Sequence, residues 1–163
     1  MLLDVKSVDK KFNGVYALKG LDFSLGEGEI HGLIGENGAG KSTFVKILGG
    51  IYKRDVGNIL WNGKDLPEVI RPEESRKLGI NIIFQDNVLI PAFTGMENIC
   101  LVRPYPVKGG LIQWKEMERE IEAKAAELGI HLDVKKPVSM MTPAQKKCVE
   151  IVRVMMSDCK LLI

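Results

Sequence analysis

The residues best placed to do chemistry lie in "GENGAGKS", Gly35 to Ser42, where three glycines, a lysine and a hydroxyl stand between an apolar run and a helical pattern. This stretch matches GxxxxGK[ST] in full, with "EIHGLIG" before it reading as a strand and "STFVKILGG" after it reading as a helix. At average amino-acid usage, a chance match in a chain this long is on the order of one per cent before that context is counted. Backbone N–H groups converge on a polyphosphate only where side chains are absent and the chain can visit positive φ, so Gly35, Gly38 and Gly40 keep the loop open. The following helix adds a partial positive charge at its N-terminus, Lys41 supplies a full charge to the β and γ phosphates, and the Ser42 hydroxyl is a ligand for Mg²⁺. A glycine-rich turn that merely caps a helix leaves the embedded lysine unexplained.

The elements around the loop follow from periodicity. "LLDVK" and "LDFSL" read as strands, joined to the apolar run through a "GEGE" turn. Phe44, Ile47 and Leu48 recur at helical spacing and stop at the Gly49, Gly50 pair, as at a helix C-terminus. "GNILWNG" is a strand closed by an Asn-Gly turn. Residues 72 to 78 read as helix, and "INIIF" at 80 to 84 is the continuous apolar run of a strand covered on both faces in a parallel sheet. From residue 87 the chain turns to Pro- and Gly-containing loops. There follows a charged amphipathic helix with Trp114, Met117, Ile121, Ala125 and Leu128 on one stripe, and residues 87–141 read as a helical insertion. A last helix starts at Thr142, where "TPAQ" offers an N-cap hydroxyl, a proline at the first helical position and a glutamine to complete a capping box; "KLLI" then begins a strand.

The totals bound what the chain does. A length of 163 residues with 45% hydrophobic content supports one domain with its own core. Twenty-three basic against 21 acidic residues, a net charge of +2, gives no electrostatic footprint for nucleic acid or an anionic membrane. Cys100, Cys148 and Cys159 have no CxxC spacing and read as apolar thiols of a reducing compartment. The start "MLLDVKSVDKKF" is neither a signal peptide nor a membrane span and nothing later reaches that length, so the chain is expected in the cytosol, touching a membrane only through another protein. His31 and His131 have no ligand-spaced partner and are assigned no role, and "KEMEREIEAK" reads as a solvated helix face.

Four segments in order carry a resemblance: "GENGAGKST", "GINIIFQDNVLIPAFTGMENICL", "GLIQW" and "TPAQKKCVEIVRVM". The chain resembles, over essentially its whole length, the nucleotide-binding domain of an ATP-binding cassette (ABC) transporter. It looks most like the N-terminal cassette of the two-cassette ATPases that drive monosaccharide importers of the ribose, galactose and xylose type. The implied fold is an α/β P-loop NTPase (RecA-like) core with an antiparallel β subdomain and a helical insertion. One cassette domain would span 1–163, with core and β subdomain at 1–86 and 142–163 and the helical subdomain at 87–141. The implied ligands are ATP and Mg²⁺, held by Gly35, Asn37, Gly38, Ala39, Gly40, Lys41, Ser42 and Thr43. Phe12 falls at the aromatic position that stacks on adenine, with Tyr16 as the alternative. Gln85 falls at the glutamine that contacts Mg²⁺, together with Ser42, and the attacking water. Met141 to Gln145 stand where the family has LSGGQ. Thr142, Ala144 and Gln145 would face the γ-phosphate of an opposing cassette, with one donor lost to Pro143.

The implied partners are a second cassette, transmembrane permease subunits and, indirectly, a periplasmic or extracellular sugar-binding protein, with no nucleic acid, at the inner face of the cell membrane. In the family the strand that "KLLI" begins leads to the Walker B carboxylates, which lie beyond Ile163. The chain is therefore expected to be a fragment, incomplete at the C-terminus, that binds ATP without efficient turnover. "KLLI" is expected to pair in parallel with "INIIF", leaving the edge of "IHGLI" at 30–34 without a neighbour. Two other readings compete with the transporter: a soluble ABC-class ATPase of translation or DNA repair, and a non-catalytic nucleotide-binding regulatory module.

Overall fold

A computed structural model describes residues 1–84, 88–101 and 105–163. The chain forms two compact units, Met1–Ile80 and Asn81–Ile163.

The first unit is built on an antiparallel sheet. Strands β1 (Leu3–Phe12), β2 (Val15–Leu25), β3 (Val56–Trp61) and β4 (Lys64–Asp65) are ordered β2-β1-β3-β4. β1 and β2 pair from Leu3 opposite Leu25 to Phe12 opposite Val15, with register shifts between Val5 and Val8, Val8 and Lys10, and Lys10 and Lys11. The turn between them is Asn13-Gly14, with φ of 49° and 84°, and Asn62-Gly63 repeats the device between β3 and β4 at 49° and 75°. Two consecutive positive φ values give the turn whose twist matches that of the flanking strands, which is why Asn-Gly serves twice. Leu3, Val5, Val8, Ile59 and Trp61 are buried on this sheet. Helix α1 (Lys41–Leu48) buries Phe44, Ile47 and Leu48, and the Phe44 ring meets that of Phe23 on β2 edge-on at 5.6 Å. The helix stops as the glycine pair implies: Gly50 takes φ 72° and its N–H reaches the Ile47 carbonyl at 3.0 Å. Helix α2 (Pro72–Lys77) then runs close to its predicted span.

Asp55 ties the sheet's end together. Its carboxylate accepts from Lys10 Nζ at 2.9 Å and from the Lys11 N–H at 2.7 Å. These hydrogen bonds, Lys10 first, hold its carboxyl below the ordinary value of 3.8. A depressed folded-state pKa contributes stability that is present above the unfolded pKa and lost as pH falls through the folded one. Urea unfolding followed between pH 6 and pH 3 is therefore expected to show a loss below about pH 4 that Asp55→Asn reduces; an identical acid limb in the variant would remove Asp55 from the account.

The predicted strand at 30–34 does not form. No strand among the described residues pairs with it, and Ile30 and Ile34 are 99% and 97% exposed. A strand exists through its ladder, and an apolar run with neither a neighbour to bond nor a face to cover stays irregular.

Where the second unit begins, β5 (Ile80–Asn81) pairs with β8 (Leu161–Leu162). The Ile163 N–H donates to the Asn81 carbonyl at 2.9 Å, and the Ile163 carbonyl accepts from the Ile83 N–H at 2.8 Å. One residue bonded to two that are two apart is the parallel pattern, as expected for "KLLI" beside "INIIF". The core packs α3 (Gly95–Cys100), α4 (Trp114–Glu127) and α5 (Pro143–Met155) around Ile99, Met117, Ile121, Val138, Val149 and Val152. The α4 stripe holds at Met117, Ile121 and Ala125. Trp114 departs from it: 43% exposed, it meets Tyr105 edge-on at 5.9 Å beyond the short hairpin of β6 (Val107–Lys108) and β7 (Leu111–Ile112).

Candidate functional site

The loop from Gly35 to Ser42 is shaped as its composition demands at two glycines. Gly38 has φ 88° and open space around it. Gly40 is the N-cap of α1 with φ 86°, and a Cβ there would stand 2.2 Å from the Ala17 carbonyl oxygen. The left-handed backbone and this close approach to β2 both exclude a side chain. The Ala39 N–H turns back to the Glu36 carbonyl at 3.1 Å, closing the loop.

This leaves an anion-seeking end on α1. The Lys41, Ser42 and Thr43 amides are among the first-turn donors without an intrahelical acceptor, no side chain caps them, and the first turn holds no acidic residue. The Lys41 side chain arches back so that Nζ donates to the carbonyls of Gly35 at 2.6 Å and Glu36 at 2.8 Å. A full charge resting on two neutral acceptors is ready to exchange them for phosphate oxygens, which bind an ammonium more strongly. Asn37 and Ala39 are exposed on the loop, and the Ser42 hydroxyl is exposed at its helical end. The chain thus fits a nucleoside polyphosphate. It also fits Mg²⁺ of the kind held by one hydroxyl and the phosphates themselves. Among the described residues no group of three or more His, Cys, Asp or Glu forms a protein cage for a metal ion.

Phe12 ends β1 at the Asn13-Gly14 hairpin, 40% exposed, in edge contact with Tyr52 at 5.1 Å. Tyr16 lies across the hairpin, opposite Lys11, whose Nζ stands 4.3 Å from the ring centroid. Lys10 Nζ stands 5.2 Å from the Phe12 centroid and Lys19 Nζ 5.5 Å from that of Tyr16, and both aromatic residues remain partly exposed. Sequence reading missed Tyr52; an aromatic just after the α1 stop signal at Gly49-Gly50 was the available clue.

On α5 the capping box forms in full. The Thr142 hydroxyl accepts from the Gln145 N–H at 3.3 Å, and the Gln145 side chain accepts from the Thr142 N–H at 3.0 Å. Both side chains are thus held at the helix start, with Ala144 exposed beside them. Thr142→Ala is expected to cost about 1 kcal/mol, a fall in melting temperature of roughly 3 °C; thermal unfolding of the variant checks it, and an unchanged midpoint would show that the box contributes nothing. Gln85 lies outside the described residues.

The fold and loop define a P-loop cassette. The ABC transporter family pattern matches residues 18–163, and the chain belongs to that family. It is 39% identical over 163 residues to the ribose import ATP-binding protein RbsA of Geobacillus kaustophilus, covering 99% of this chain and 33% of that protein. It is 41% identical over 162 residues to ribose import ATP-binding protein RbsA 1 of Rubrobacter xylanophilus, covering 99% and 32%. The chain therefore spans about a third of the length of these curated relatives. Among solved structures, a nucleotide-free ATP-binding cassette from an ABC transporter matches with a TM-score of 0.81 and 26% identity over 99% of this chain and 67% of that one. CbiO1 of Clostridium perfringens, part of the cbiONQ transporter complex, matches at 0.79 and 27%, over 99% and 63%. The fold is the α/β P-loop NTPase fold of these cassettes.

Proposed function

We propose that this chain is nucleotide-binding sequence of a sugar importer, in which ATP binding closes two cassettes and hydrolysis reopens them, driving sugar uptake through separate membrane subunits. The observation that carries the reading is the Lys41 ammonium and the uncapped α1 amides converging on one exposed loop, in a chain similar throughout to ribose import ATP-binding proteins. ATP occupies the loop from Gly35 to Thr43, with Lys41 on the β and γ phosphates and Ser42 on Mg²⁺. Phe12 stacks on adenine, and Gln85 contacts the metal and the attacking water. Thr142, Ala144 and Gln145 face the nucleotide of the opposing cassette.

The domain is one cassette spanning 1–163, its core and β subdomain at 1–86 and 142–163 and its helical subdomain at 87–141. Its partners are a second cassette, permease subunits and, through them, a sugar-binding protein. It sits at the cytoplasmic face of the membrane. No helix of the described residues is long and apolar enough to cross a membrane.

Disruption of the gene is expected to abolish uptake of one of the labelled pentoses or hexoses of the ribose, galactose and xylose type. Unchanged uptake of all of them would overturn the substrate class without touching the nucleotide site.

A further inference from the structure

The segment between α1 and β3 is tied down on both sides of Tyr52. On α1 the Lys46 carbonyl accepts from the Ile51 N–H at 2.8 Å and from the Tyr52 N–H at 3.2 Å, and the Lys46 ammonium stands 5.4 Å from the centroid of the Tyr52 ring. Further on, the Asp55 N–H donates to the Asp9 carbonyl at 2.9 Å, and the Asp55 carboxylate holds Lys10 and the Lys11 N–H. Tyr52 is thereby pinned between the helix that opens at Lys41 and the end of β1, where Phe12 stands. Its half-buried ring meets that of Phe12 at 5.1 Å with an interplanar angle of 68°, one of the arrangements that an aromatic pair prefers.

From this geometry we infer that Tyr52 is a positioning residue for the base of the nucleotide, fixing the plane of the Phe12 ring and its distance from α1, whose first turn carries the phosphate site. Base and triphosphate are joined covalently, so a platform for one is useful only at a set distance from the site of the other. Phe12 ends a strand at a hairpin and is 40% exposed; without a neighbour its ring is free to change rotamer, and ordering it on binding costs affinity. Tyr52 removes that freedom beforehand and does so from a backbone bonded to α1. The role of Tyr52 rests on the proposed stacking of Phe12 on adenine; the ring pair itself does not.

The test titrates ATP, and inorganic tripolyphosphate as the ligand without a base, into the full chain by calorimetry. Phe12→Ala, Tyr52→Leu, Tyr52→Phe and the double variant Phe12→Ala with Tyr52→Leu stand beside the parent. Phe12→Ala is expected to weaken ATP about tenfold and Tyr52→Leu about fivefold, each with tripolyphosphate affinity unchanged. Tyr52→Phe, which keeps the ring, is expected to hold ATP within about twofold of the parent. Because Tyr52 acts through Phe12, adding Tyr52→Leu to Phe12→Ala is expected to lose nothing further. Parent-like ATP affinity in Tyr52→Leu, with the Phe12→Ala loss intact, overturns the role of Tyr52 and leaves Phe12 as the platform. Losses that add in the double variant overturn it too, since Tyr52 then meets the nucleotide by itself, and a Tyr52→Phe loss as large as that of Tyr52→Leu excludes the ring pair as the cause. An equal fall for ATP and tripolyphosphate in Tyr52→Leu marks damage to the loop or the fold and overturns positioning of the base. ATP affinity unmoved by Phe12→Ala removes the stacking of Phe12 on adenine and the role of Tyr52 with it.

Discussion

Lys41→Ala is expected to weaken ATP binding more than a hundredfold while leaving the fold in place. The amine makes two hydrogen bonds, both to loop carbonyls, and both acceptors are exposed enough to turn to water. No core residue depends on it. In the complex the same amine meets the most charged part of the ligand, and removing one partner of such a charge pair costs about 3 kcal/mol, slightly more than two powers of ten. The loop amides and the α1 N-terminus remain in the variant, so weak residual binding is expected rather than none. Calorimetric titration of parent and variant, each shown folded by its thermal transition, decides the matter. Equal affinities would sink the assignment of this loop as the phosphate site.

How far the sequence discloses such a site depends on how local its causes are. The start of α1 after Gly40 and the Thr142 capping box are set by residues within a few positions of each other, and both formed as read. The Asn-Gly turn at 62–63 is legible for the same reason, and Asn13-Gly14, the same dipeptide, places Phe12 at a hairpin end. Residues 30–34 failed because their strand character was a property of neighbours they do not have: the apolar run signals burial, and Ile30 and Ile34 are nearly bare. Glu150 was hidden in the opposite way. A glutamate beside Val149 in a helix suggests a solvated position, and only the return of residues 84 and 88 to α5 makes it a buried anchor. The clue within reach was the polar residue lying between two core valines.

Gly40→Ala is expected to be the most destabilising single change in the loop, and comparison with Gly38→Ala separates its causes. Both glycines have left-handed φ, 86° and 88°, and an alanine there pays roughly 1–2 kcal/mol for that backbone alone. At Gly38 nothing lies within 4 Å of the added Cβ, so the conformational cost is the whole cost. At Gly40 the Cβ meets the Ala17 carbonyl oxygen at 2.2 Å and Leu18 Cδ2 at 2.6 Å. Neither neighbour yields freely: the first is β2 backbone, and the second belongs to a buried side chain. Pushing β2 and α1 apart adds an overpacking cost of about 1–3 kcal/mol, for a total near 4 kcal/mol against about 1.5 for Gly38→Ala. Denaturant unfolding of the two variants beside the parent measures the difference. The displacement also moves the α1 amides and Lys41 away from their places, so Gly40→Ala is expected to lose nucleotide affinity even at temperatures where it remains folded. Two variants of equal stability would mean that the β2 contact constrains nothing, and that Gly40 is needed for its φ alone.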